Sequence, residues 1–316
     1  MRGRPVTLLP LVAAAIVGSL LAAQAQVPTA SQRAWTPPRT VWGDPDLDGI
    51  WNYATMTPLE RPRELAEKDV LTDEEAAAYE RRTVERQMAT NNTAGPDWWD
   101  PGTRRLTNRR TSLIVDPPDG RMPPLTMEAE KRATSRAQAS RARGPEGPED
   151  LGLNVRCILW STAGPPMLPG VYNNNVRFIQ SRDYVVIFNE MIHDARIVPM
   201  DGRLHGTIRG WMGDSRGHWE GPTLVVGTVN FSDKANFRGS DENLRLVERF
   251  TRVAPDTIEY QFTVDDPTVW TRSWIAQFPM NRTDAPMYEY ACHEGNERSV
   301  AGILRGARAH ENEARH

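Results

Sequence analysis

The sequence predicts a mainly β protein: an antiparallel up-and-down β-barrel or strongly curved sheet, with a helical and irregular amino-terminal arm. Two observations carry this. From about residue 152 short apolar or alternating runs are separated by turn signals every ~8–12 residues, the texture of an antiparallel sandwich or barrel. No helix-length pattern interrupts them until Val300 to Ala309. A physical consideration then favours closure, because consecutive strands in a meander leave exposed edges unless the sheet curls onto itself.

In chain order, Arg2 and Arg4 precede an apolar run from Leu8 to Ala23 that ends in Ala23-Gln24-Ala25. Residues 1–25 therefore read as a secretory signal peptide cut before Gln26. The run contains Pro10 and is shorter than the ~20 apolar residues of a membrane span, so none is expected. Removing two arginines from 38 basic residues leaves 36 against 41 acidic, a charge near −5. With no basic stripe, nucleic acid is not an expected partner.

Residues 26–150 form the expected arm. Gly49 to Tyr53 reads as a short strand amid proline-rich turns. "LTDEEAAAYERRTVERQ" reads as a helix, because Thr72 and Glu75 can form a capping box and acids fill its first turn. "WWDPGTRR" is a loop, "RTSLIVDPPDGR" a strand entering a turn, "TMEAEKRATSRAQASRA" a second charged helix and "RGPEGPED" a link.

Residues 151–300 form the barrel domain, and 301–316 a short helix and polar tail. Expected strands are Val176 to Gln180, Tyr184 to Ile192, Ala195 to Pro199, Gly206 to Gly210, Thr223 to Phe231, Leu244 to Val253, Thr257 to Val264, Ser273 to Phe278 and Tyr288 to Cys292. Connections such as Ser181-Arg182-Asp183 and Ala254-Pro255-Asp256 are of turn length and make neighbours antiparallel. A barrel of about eight strands has room for one small ligand. Cys157 and Cys292 are the only cysteines and, in an oxidising compartment, read as one disulfide.

The candidate chemistry lies in the β region. "YVVIFNEMIHDARIV" interrupts an apolar strand pair with Glu190, His193, Asp194 and Arg196, and strand parity puts Glu190 on the face of Tyr184, Val186 and Phe188. Parity also groups Glu248 with Leu246 and Phe250, and Tyr260 with Ile258 and Phe262. Carboxylate, imidazole and phenol facing one cavity make a general acid–base set. Glu190 and Glu248 are the candidate acids or bases, His193 and His293 the proton shuttles, Arg196 an anion partner and Tyr260 a hydrogen-bond donor. Trp211, Trp219, Trp274 and Tyr290 are the expected contacts to a ring-bearing substrate. The same Glu–Arg chemistry also serves as a structural cross-strand contact.

"GDSRG", residues 213–217, matches a nucleophile-elbow pattern but is followed by a strand-like run instead of a helix, which favours a glycine hairpin. The histidines show no compact metal spacing, so neither a metal nor another cofactor is expected. The expected function is an exported lyase, isomerase or hydrolase performing cofactor-free acid–base chemistry on a small hydrophobic or ring-bearing molecule in a barrel cavity. A periplasmic small-molecule binding protein without turnover is one alternative, and a metal enzyme using His193, His205 or His293 another.

"PDLDGIW", "GDSRGHWEGPTLVVGTVNF", "LVERFTR" and "YEYACHEGN" together resemble a group of uncharacterised secreted bacterial proteins. That resemblance implies export and a β-rich body, and carries over no catalytic residue. The barrel is similar in outline to lipocalin-like proteins, whose Gly-Trp signature is hinted at by Gly49-Ile50-Trp51, a fold-level analogy alone.

Overall fold

A computed structural model of the chain describes residues 35–90, 108–142, 144–160, 162–170 and 172–314. The expected leader and the "WWDPGTRR" loop lie outside the described residues. The fold is mainly β, with a nearly closed antiparallel barrel and, among the described residues, three α-helices.

The arm contributes β1 (Gly49–Asn52), α1 (Asp73–Thr90), β2 (Ile114–Asp116) and α2 (Met127–Ala142). The helix α1 begins where expected, because Thr72 and Glu75 exchange reciprocal bonds: Thr72 N–H donates to Glu75 Oε2 at 2.9 Å and Glu75 N–H to Thr72 Oγ1 at 3.3 Å. The later strands are β3 (Asn175–Gln180), β4 (Tyr184–Asn189), β5 (Ala195–Pro199), β6 (Asp214–Glu220), β7 (Thr223–Val229), β8 (Arg245–Ala254), β9 (Thr257–Asp265) and β10 (Trp274–Arg282), followed by α3 (Asn296–Ala314).

The sheet runs β5-β4-β3-β1-β10-β9-β8-β7-β6, with β2 paired to β10. A boundary at residue 151 therefore does not separate arm from barrel. Trp51 of β1 stands opposite Val176 of β3 on one side and Arg282 of β10 on the other. Trp51 is completely buried, with its indole N–H on the Leu47 carbonyl at 2.9 Å, so the arm supplies a wall strand.

The two ends of the strand path, β5 and β6, meet through side chains. A Cβ placed on Gly217 of β6 would come 2.9 Å from Val198 Cγ1 and 2.5 Å from Met200 Sδ, so the glycine makes this close approach possible. Gly217→Ala is accordingly expected to destabilise the protein by about 1–3 kcal/mol through overpacking of the seam, read as a lower denaturation midpoint. An unchanged midpoint would show that β5 and β6 are not pressed together.

Three expected strands differ. Gly206 to Gly210 and Tyr288 to Cys292 are irregular segments. "GDSRG" is the opening of β6 instead of a hairpin. The hairpin lies at Gly221-Pro222, where Glu220 stands opposite Thr223 and Gly221 has φ +59°. Tyr184 to Ile192 stops at Asn189 because the chain turns sharply: Ile192 and His193 have φ +57° and +48°.

Rings fill the barrel. Trp51, Phe178, Phe250, Tyr260, Phe262, Trp274 and Phe278 are buried, and Phe250 stacks on Tyr260 at 4.8 Å while meeting Phe178 edge-on at 5.0 Å. The interior room expected for a ligand is thus occupied by side chains, as small barrels allow. Segment 163–168, from Ala163 to Leu168, is buried over one barrel end. Tyr53 Oη donates to the Thr162 carbonyl at 3.1 Å and Met167 N–H donates to Tyr260 Oη at 3.1 Å, which fixes that plug in place. Cys157 and Cys292 are joined in a disulfide.

Candidate functional site

Arg196 is the inward-facing second residue of β5, and Glu248 and Tyr260 are inward-facing on β8 and β9. Because β5 and β8 are not neighbours in the sheet, their side chains meet across the interior. Arg196 Nη1 and Nη2 donate to Glu248 Oε2 and Oε1 at 2.5 and 3.0 Å, and Tyr260 Oη donates to Glu248 Oε1 at 2.6 Å. Arg196 is 4% exposed and Glu248 and Tyr260 0%, so this bidentate pair is sealed from water.

Burial works against the Arg196 charge, and Glu248 beside it more than offsets that, leaving the guanidinium pKa raised. Burial and then the Glu248 charge push the Tyr260 phenol well above its ordinary range. Of the residues expected to share one cavity, the structure brings Arg196, Glu248 and Tyr260 together. Among the described residues, Arg196 Nε and both amide atoms of fully buried Asn189 have no hydrogen-bond partner. Asn189 and Arg196 sit diagonally on one inward face, since Ile187 stands opposite Arg196 in the β4–β5 ladder.

The other proposed acid–base groups lie elsewhere. Tyr184, Val186 and Phe188 point away from the core, while Val185, Ile187 and Asn189 point in, which reverses the face expected for this strand. Glu190 is buried at the corner after β4, and its Oε1 accepts the Tyr288 N–H at 3.1 Å. His193 is exposed on that corner, and His293 is exposed in the turn before α3. Neither histidine reaches the sealed interior, because the positive-φ corner turns the first outward and the second lies on no strand.

Asp194, on the same corner, has its pKa raised from the ordinary 3.8 to about 6 by burial, with His193 opposing the shift. One of its oxygens, Oδ2, has no hydrogen-bond partner among the described residues. A carboxyl whose folded pKa lies above its unfolded value binds more protons in the folded state, so stability falls as pH rises from about 4 to about 6. Asp194→Asn should therefore raise stability at pH 7, by up to about 2 kcal/mol, and flatten the pH dependence in that window. Denaturation midpoints measured across it check this, and a parallel slope in wild type and variant would contradict it.

A narrow cleft with about 40 Å³ of free space opens at the barrel end where β7 runs into β8. Trp160, Trp211, Phe231, Phe237 and Leu244 line it together with Asn236, Ser240 and Asp241, and its floor is Gly164 and Pro165 of the plug. The Ser240 hydroxyl donates to Asp266 Oδ2 at 2.5 Å, which braces that wall. The segment that lines the cleft through Gly164 and Pro165 is bonded to Tyr260 through Met167, which links the cleft wall to the buried ion pair.

Of the four aromatic contacts expected from sequence, Trp211 lines this cleft. Trp274 is completely buried in the core, and Trp219 packs against the core from the end of β6. Tyr290 joins an adjoining ring cluster that shares Trp160 with the cleft, stacked on Tyr172 at 6.2 Å and edge-on to Trp160 at 6.0 Å. Trp160, Phe231, Asn236, Phe237 and Asp241 were not anticipated as site residues. For all of these but Trp160 the sequence signal is the connection 230–244, which is long and ring-bearing for a link between paired strands.

The described residues hold no cluster of three or more potential metal ligands; His205 lies 3.4 Å from Asp214 and His218 3.1 Å from Glu220. Comparison with protein-family models, curated proteins and solved structures finds no match to this chain.

Proposed function

We propose that this chain is an exported protein that binds a small ring-bearing or hydrophobic molecule in the aromatic cleft at the mouth of its barrel. One observation carries the reading: four large rings converge there with a few polar groups. Such apolar concavities with sparse, directional polar contacts are the usual form of small-molecule sites. The rings would grip an apolar face, Asn236 offers both a donor and an acceptor, and Asp241 a carboxylate. Export is supported by the leader-like amino terminus, by the resemblance to secreted bacterial proteins and by the disulfide. Among the described residues no helix is long and apolar enough to cross a membrane.

A second reading, cofactor-free turnover of the lyase, isomerase or hydrolase kind, is favoured by the meeting of Arg196, Glu248 and Tyr260 beside unpartnered polar atoms. It requires the plug to lift, since these groups have no open surface and a catalytic acid or base must reach its substrate.

Incubating wild type, Trp211→Ala and Glu248→Gln with a mixed metabolite extract separates the two. Mass spectrometry of protein-retained compounds reads binding, and depletion with appearance of products reads conversion. The expected result is a ring-bearing compound retained by wild type, at least about tenfold less by Trp211→Ala, and unconverted. Conversion lost in Glu248→Gln would replace the binding reading with the catalytic one. Retention indifferent to Trp211 would contradict the cleft.

A further inference from the structure

The aromatic cleft is lined by a single charged residue, Asp241, and that residue is an acid. Its Oδ1 accepts the Glu242 N–H at 2.9 Å. Its Oδ2 lies 3.7 Å from Arg136, a half-exposed side chain of α2 that is not part of the lining. That is ion-pair distance but too long for a hydrogen bond, so Oδ2 keeps lone pairs for another donor.

Ser240 adds a second acceptor. Its hydroxyl hydrogen is committed to Asp266 at 2.5 Å, which leaves the oxygen only lone pairs to offer. Asp266 is itself 2% exposed, and its carboxylate is held by neutral donors alone, the Ser240 hydroxyl and the Thr268 N–H and hydroxyl. A second carboxylate therefore stands behind this wall. Against these acceptors the lining sets amide and indole N–H groups but no basic side chain.

The rings favour the same class of ligand. Trp160, Trp211, Phe231 and Phe237 line the cleft, and Phe237 has one face stacked on Trp274 at 6.2 Å, which leaves its other face and an edge to the cleft. Ring faces carry the negative lobes of the aromatic quadrupole and attract cations. The free space of about 40 Å³ admits a compact head group, since about 10–15 Å³ already holds one water.

We infer that the ligand of this cleft is an organic cation, a primary amine in its ammonium form on a ring-bearing or apolar body. The ammonium donates to Asp241 Oδ2 and Ser240 Oγ among the rings, and the body rests at the mouth. This inference rests on the ring-binding reading of the same cleft and adds the charge of the ligand to it.

Calorimetric titration of the full mature chain with 2-phenylethylamine, 2-phenylethanol and 3-phenylpropanoate, at neutral pH and fixed ionic strength, tests it. The probes share a ring and differ in the charge of the head group. The amine should bind at least about tenfold more tightly than the alcohol, and the acid most weakly. Asp241→Asn keeps an oxygen for the Glu242 N–H, and should bind the alcohol as wild type does while losing the preference for the amine. Asp233→Asn, which removes an exposed acid of the same connection outside the lining, should retain that preference, and so separates the local carboxylate from the overall negative charge. An alcohol bound as tightly as the amine, a preference intact in Asp241→Asn, or one lost equally in Asp233→Asn would overturn the cationic class and leave the ring-binding reading standing. Absence of saturable heat with all three probes would overturn both.

Discussion

Glu248→Ala is expected to destabilise the protein by about 3–5 kcal/mol, because it leaves the Arg196 guanidinium buried without its counter-charge. The geometry makes this an extreme position. Glu248 is 0% exposed, takes both Arg196 Nη donors and accepts the Tyr260 hydroxyl, so one truncation strands three donors. Tyr260 in turn accepts the Met167 N–H, and the loss therefore extends to the plug. Arg196→Met combined with Glu248→Leu removes both charges while keeping the volume, and should recover most of the stability, since well-packed apolar replacements of buried pairs are often neutral or better. Denaturant titration of the two single variants and the double variant measures the coupling. A Glu248→Ala protein within about 1 kcal/mol of wild type would mean that water reaches the pair and that the plug does not seal the barrel.

Replacing Cys157 and Cys292 together by alanine is expected to cost about 2–5 kcal/mol. The cross-link spans 135 residues, so its removal restores much freedom to the unfolded chain. The folded state also loses a local anchor. α3 follows the disulfide directly and otherwise meets the 154–157 turn through Asn296 Nδ2, which donates to the Val155 carbonyl at 2.7 Å. Limited proteolysis of the variant should therefore cut first between Arg282 and α3, at sites resistant in wild type. A variant as resistant as wild type would show that α3 is held by its other contacts.

The legible parts of the fold were those with short-range causes. The helix α1 starts at a capping box written in four consecutive residues, Thr72 to Glu75, and strands β8 and β9 alternate so regularly that Glu248 and Tyr260 were assigned to the correct inward face. The disulfide needed only the fact of two cysteines. Illegible parts depend on partners far along the chain. Nothing within Gly49–Asn52 says that it completes a wall between Asn175–Gln180 and Trp274–Arg282.

Glu190 was misplaced for a different reason. Parity holds only while the strand lasts, and the strand ends at Asn189, one residue before it. His293 fell the same way, because Tyr288 to Cys292 has the residue types of a strand and no partner to pair with. The cleft was hidden because its rings come from three separate places, Trp160, Trp211 and the 231–244 connection, which only the barrel end brings together.

Chemical-shift mapping of the isotope-labelled chain during titration with ring-bearing fragments tests the central claim most directly. Saturable changes are expected at Leu159, Trp160 and Gly164, at the Trp211 indole, and across 231–244, with the signals of Arg196, Glu248 and Tyr260 unmoved. Fragments that bind nowhere, or whose changes centre on the sealed Arg196–Glu248 pair, would contradict a ligand cleft at the barrel mouth.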